Sequence, residues 1–128
     1  MMIKKLFTND LYIKVGKDTF EAKNVSMNGQ WKRLSSERPF TTNRLLVGNF
    51  ANAEQVLARL VKDVLPKSFF AKRPQVIIHP VSHVDGGLSE VEVRIFKELA
   101  FGAGAIKVAL HVGPELSNSE VVKLIAST

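Results

Sequence analysis

A chain of 128 residues with 45% hydrophobic and 23% charged side chains has the length for one core and the balance of a globular protein, which excludes a disordered or fibrous chain. Its net charge of +6 is lopsided: residues 1–64 hold 11 Lys and Arg against 6 Asp and Glu, whereas residues 65–128 hold 7 against 6. There is no cysteine, which excludes a disulfide framework, thiol catalysis and a thiolate-bound metal.

No apolar run approaches the roughly 18 residues of a membrane span, and the basic start MMIKKLFTND has too short an apolar stretch for a secretory signal. A cytoplasmic protein is expected, with residues 1–128 as one domain. A basic N-terminal half suits nucleic acid, an anionic lipid surface or an acidic protein. No aromatic RNA-binding pattern, zinc finger or dense basic helix accompanies it. A solvated basic face is therefore the plainer account, and nucleic acid is not the expected partner.

The first element is the strand LYIKVG, in which Leu11, Ile13 and Val15 alternate with Tyr12 and Lys14, the period of a half-buried strand. It runs into Gly16 as a phosphate-binding turn would, which makes Lys14 and Gly16 candidate nucleotide- or anion-binding residues. Lys17 and Asp18 lead straight back into TFEAKNVS, so a hairpin is the expected outcome. Asn28-Gly29 then signals a second hairpin through a type I′ turn, and QWKRLSS returns as a third strand. Trp31, Lys32 and Arg33, with Tyr12 and Lys14 nearby, form a candidate basic aromatic surface for a partner. A cross-strand aromatic pair is the blander reading.

After Pro39 the pattern becomes helix, strand, helix, strand, helix. FANAEQVLARLVKDVL places Ala53, Val56, Leu57, Leu60, Val61, Val64 and Leu65 on one stripe, with Asn52 at the expected cap, Gln55 three residues on, and Pro66 as the stop. In KSFFAKR, Phe69 and Phe70 are expected to fold back onto the core. RPQVIIHPVS is a buried strand. Two capping boxes, Ser89-x-x-Glu92 and Ser117-x-x-Glu120, start the helices SEVEVRIFKELAFGAG and SNSEVVKLIAS. AIKVALHV is the strand between them. A meander followed by parallel crossovers gives an α/β fold with a mixed five-stranded sheet, order 3-2-1-4-5, and three helices.

His79, His83 and Asp85 have a spacing that suggests a metal, but Pro80 interrupts the strand, so structural or exposed roles are favoured and no metal is expected. His79 and His111 both end strands, where ligands of parallel sheets gather, and they could share a crevice edge. Asp85-Gly86-Gly87 is either an anion nest or the turn that places Ser89. No G-x-G-x-x-G, Walker or G-x-S-x-G pattern occurs, so no cofactor and no hydrolase elbow is expected.

The order of these segments resembles a half-domain of the actin and ribonuclease-H-like superfold. FTNDLYIKVG resembles the opening strand of the rod-shape-determining bacterial actin homologue MreB. LLVGNFANAEQVL, RPQVIIHPVS and SEVEVRIFKELAFGAGAIKVALHV are similar to the later helix and strand segments of that family's subdomain IA. NRLLVGNFANAEQVL and GGLSEVEVRI resemble, more closely, the central segments of stand-alone enterobacterial proteins of the YjaA type. That uncharacterised group carries an association with stress responses.

The departures from the actin pattern shape the functional expectation. Where that family has an aspartate that manages the metal–nucleotide complex, this sequence has Lys14, and a cation cannot ligate Mg²⁺. Glu92 resembles by position the glutamate that orients water, which makes it the candidate catalytic residue; a capping role is the favoured reading. The sequence also supplies only one of the two lobes between which such proteins hold nucleotide. A non-catalytic interaction module is therefore expected, with no cofactor, binding a protein partner or a second copy of itself. The alternatives are a weak nucleotide- or phosphate-binding protein completed by dimerisation, and a basic nucleic-acid-binding domain.

Overall fold

A computed structural model describes residues 9–67 and 73–128; the expected packing of Phe69 and Phe70 lies outside these residues. Strand β1 (Asp10–Gly16) pairs antiparallel with β2 (Thr19–Asn24), and β2 pairs antiparallel with β3 (Lys32–Ser35). On its other side β1 runs parallel to β4 (Gln75–Pro80), which runs parallel to β5 (Lys107–Leu110). The sheet order is β3-β2-β1-β4-β5. With helices α1 (Phe50–Val64), α2 (Glu90–Gly102) and α3 (Asn118–Ala126), this is the expected mixed five-stranded α/β arrangement.

Alternation along β1 divides the core in two. Leu11, Ile13 and Val15 point to the face covered by α1 and α2, where they meet Phe20, Leu57, Leu60, Phe96 and Leu99. Burying each such side chain contributes about 1.5–3 kcal/mol. Tyr12 points the other way, to the face where Ile77 and Ala109 pack under Val121 and Ile125 of α3. The sequence pattern implies a solvated face for Tyr12, but it is fully buried. The short helix α3 reaches over the centre of the sheet and covers it.

Two local expectations need correction. The cap of α1 is Asn49, whose side chain accepts the Asn52 backbone N–H at 3.2 Å. Asn52 lies within the first turn and instead donates its amide to the Pro39 carbonyl at 2.9 Å. The second hairpin is not a two-residue type I′ turn either. Asn24 ends β2 and is buried; its amide nitrogen donates to Asn9 Oδ1 and to the Val64 carbonyl, each at 3.1 Å. Its amide oxygen caps a single 3-10 turn (Val25–Met27). Asn28 closes that turn in the left-handed region at φ 53°, and Gly29 donates back to the Asn24 carbonyl at 2.9 Å. Satisfying a buried asparagine outweighs the local turn preference.

Both capping boxes form as expected. The end of α2 is a Schellman motif: Gly104, at φ 109°, donates to the Phe101 carbonyl, and Ala105 donates to the Ala100 carbonyl, each at 3.0 Å.

Candidate functional site

The loop that leaves β4 carries the chain to α2 on one face of the sheet, and the loop that leaves β5 carries it to α3 on the other. Where such loops part, a crevice opens at the carboxyl ends of the strands, the usual ligand position in open α/β sheets. Here it has a volume of about 320 Å³. Lys14, His79 and Glu115 supply its polar lining, and Val81, Val84 and Val112 its apolar lining.

His79 stands at the base of this crevice, 3% exposed. Its Nε2 lies 2.8 Å from the Gly113 carbonyl oxygen. A carbonyl can only accept, so Nε2 carries the hydrogen, and Nδ1 of the neutral ring is left as an acceptor. The Tyr12 hydroxyl, 2.7 Å from Nδ1, donates to it and accepts the Leu116 backbone N–H at 3.0 Å. The result is one directed chain: Leu116 to Tyr12 to His79 to Gly113. Burial pushes the His79 pKa down and the Tyr12 pKa up, which keeps both groups neutral. His111 meets the His79 ring edge-on at 4.7 Å and donates from Nε2 to the Pro114 carbonyl at 2.7 Å.

Lys14 follows Tyr12 on the same face. Its ammonium is paired with the Glu115 carboxylate and lies 4.4 Å from the centre of the Trp31 ring. The lysine hydrogen bond holds the Glu115 carboxyl below the usual carboxylate range. Trp31 also packs against Tyr12 at 5.1 Å between ring centres and takes Lys23 on its ring at 4.9 Å. A cationic and aromatic patch therefore adjoins the crevice.

Over 124 residues the chain is 31% identical to the uncharacterized protein YjaA of Escherichia coli (strain K12), an alignment that spans 90% of this chain and 95% of that protein. The chain belongs to the YjaA family. No family model matches it.

In this family member, three of the five residues expected to form a partner surface do come together: Tyr12, Lys14 and Trp31. Tyr12 serves as a buried strut, however, and is not an exposed contact. Lys32 leaves the patch. It pairs with Ala22, on the α1 face of the sheet, and its ammonium donates to the Asp63 carbonyl of α1 at 3.3 Å. Arg33 lies across from Glu21 on the outermost strand.

Gly16 ends β1 opposite Thr19, with only Lys17 and Asp18 between them. A Cβ there would meet only ordinary contacts at 3.7 Å or more, so no close backbone approach requires the glycine. His83 sits in an exposed turn at φ 58°, its Nδ1 3.1 Å from the Ser82 hydroxyl. Among the described residues no three His, Asp or Glu side chains are grouped as a metal site needs. Glu92 accepts the Ser89 backbone N–H at 3.1 Å, and Ser89 accepts that of Glu92 at 3.2 Å.

Of the two strand-end histidines expected at the crevice edge, His79 lines the crevice, whereas His111 is not among its described lining residues and meets it only through the His79 ring. Glu115 and Lys23 join the site without a sequence signal of their own. The one hint for Glu115 is its place in Gly113-Pro114-Glu115, the turn that links a strand end to the Ser117 cap.

Proposed function

We propose that this chain is a non-catalytic interaction module built on a half-domain of the actin and ribonuclease-H-like type, binding through the crevice and the adjoining Trp31 patch. The observation that carries this reading is the closed network around His79. A general base needs a free lone pair within reach of a substrate proton. The His79 lone pair is occupied by Tyr12, and its N–H by Gly113. The Lys14 ammonium is already paired with Glu115. Such a network braces the strand ends and leaves none of these groups ready to transfer a proton.

The sheet order β3-β2-β1-β4-β5, a meander followed by β-α-β-α, supports the actin-type relationship. The turn after Gly16 argues against nucleotide. The Asp18 carboxylate accepts the Phe40 and Thr41 backbone N–H groups at 2.8 Å each. Those donors are no longer available to a phosphate, and a carboxylate at the turn repels one. Titration calorimetry with Mg-ATP is expected to give no binding heat. Micromolar affinity, with ATP turnover lost in Glu92→Gln, would overturn the proposal.

A further inference from the structure

We infer that the crevice between the β4 and β5 loops takes a free aliphatic α-amino acid, its carboxylate on Lys14, its ammonium on Glu115 and its side chain against Val81, Val84 and Val112. This deepens the proposed function and rests on reading the crevice as a binding site and not a reacting one.

Charge comes first. Among the described residues the charged lining groups are one cation and one anion, Lys14 and Glu115, and burial holds the third titratable lining group, His79, neutral by lowering its pKa. The lining therefore sums to zero. A bare anion on Lys14 would strand the Glu115 charge, and a bare cation on Glu115 would strand Lys14. A zwitterion replaces one ion pair with two and strands neither.

Opening the existing pair is cheap. The Glu115 side chain is 55% exposed and the Lys14 side chain 17%, and a pair this close to solvent contributes at most about 1 kcal/mol. The lysine is the fixed partner: β1 and the Trp31 ring hold it in place. The glutamate, on the exposed turn after Gly113, is the partner that can swing.

Shape and polarity agree. Val81 is 51% exposed and Val112 42%, and they flank the crevice from its two loops, apolar surface open to a ligand. The neighbouring polar groups of His79 are already satisfied, so the base of the crevice offers no free hydrogen bond to a polar side chain. Its volume of about 320 Å³ suits one small ligand.

Trp31 is the sole tryptophan of the chain, so its fluorescence reports directly on Lys14. Titration of the full-length protein with L-valine and L-leucine is expected to give a saturable change. Isovalerate, which lacks the ammonium group, and isobutylamine, which lacks the carboxylate, should each bind at least about tenfold more weakly. Lys14→Met and Glu115→Gln should each weaken valine binding by about tenfold or more, with unchanged circular dichroism. Val112→Asp, on the exposed rim where folding is not at risk, should abolish it.

No response to either amino acid up to roughly 10 mM would overturn the inference, as would equal binding of a single-charge analogue or full affinity in Val112→Asp. Those failures leave the non-catalytic reading standing. Consumption of valine during the incubation would instead overturn that reading.

Discussion

Tyr12 on β1 and His79 on β4 share a buried hydrogen bond of 2.7 Å across 67 positions of sequence. Through Leu116 on one side and Gly113 on the other, it ties the two central strands to the loop that starts α3. Tyr12 stacks on the His79 ring and meets Trp31 in a tilted ring contact, which extends the same tie to the β2–β3 connection. The crevice wall is thus fixed by side chains that are far apart in the chain.

Tyr12→Phe tests that tie. The ring and its packing remain, but the Leu116 N–H loses its acceptor and His79 its donor. Leaving buried groups unpaired costs more than a net hydrogen bond, so destabilisation of about 1–3 kcal/mol is expected. Urea unfolding should show a lower midpoint with an unchanged slope, and hydrogen exchange at the Leu116 amide should accelerate. An unshifted midpoint would show that the network contributes nothing to stability.

His79 gives the fold a pH dependence with a definite sign. Burial lowers its pKa in the folded state, whereas in the unfolded chain it titrates near 6.5. The unfolded chain therefore takes up the proton first, and stability falls as pH drops below that value. The contribution is fully present above it. Thermal unfolding between pH 8 and pH 5 should show the midpoint decline in the lower half of this range. The decline should shrink in His79→Gln. An NMR titration in which the His79 ring protonates at the ordinary histidine pH would sink the prediction.

The fold was legible in the sequence because its signals are local and repeated. Alternation in Leu11–Val15, the stripe from Ala53 to Val64 and the two capping boxes each act within a few residues, and together they give the strand order. The failures were long-range. Asn28-Gly29 carries a strong hairpin signal, but Asn24 finds partners in Asn9 and Val64, and those contacts choose the turn. Tyr12 reads as solvent-facing because nothing near it in sequence announces that α3 will cover it. The site was half legible for the same reason. Strand-end position brings out His79 and His111, whereas Glu115 matters only because it meets Lys14, 101 positions earlier.

The α2 capping box separates a structural from a catalytic Glu92. Ser89→Ala removes the acceptor for the Glu92 backbone N–H and should cost about 1 kcal/mol. Glu92→Gln keeps an oxygen for the Ser89 N–H, so its unfolding midpoint should stay close to that of the parent chain. A large loss in Glu92→Gln would mean that the charge does more than close the cap.

Asp18 makes three separable contributions. It adopts the left-handed region at φ 55°, its carboxylate accepts the Phe40 and Thr41 N–H groups, and its charge strengthens both bonds. The Thr41 bond is the main reason its carboxyl titrates below the usual range. Through Phe40, which stacks on Phe20 at 5.0 Å, these bonds fasten the segment before α1 to the core. Asp18→Ala loses the acceptor and keeps the unfavourable backbone, so it should cost about 2–4 kcal/mol. Asp18→Gly relieves the backbone alone and should be milder by about 1 kcal/mol. Asp18→Asn keeps an acceptor and tolerates the left-handed region, so it should be the mildest of the three. It should also lose the acid sensitivity that Asp18 contributes. A depressed carboxyl pKa stabilises the fold above the unfolded value near 3.9, and that stabilisation disappears as pH falls through the folded value. Chemical denaturation at pH 7 and pH 3 resolves the series. If Asp18→Ala and Asp18→Asn were equally stable at pH 7, the carboxylate would not be what fastens Phe40.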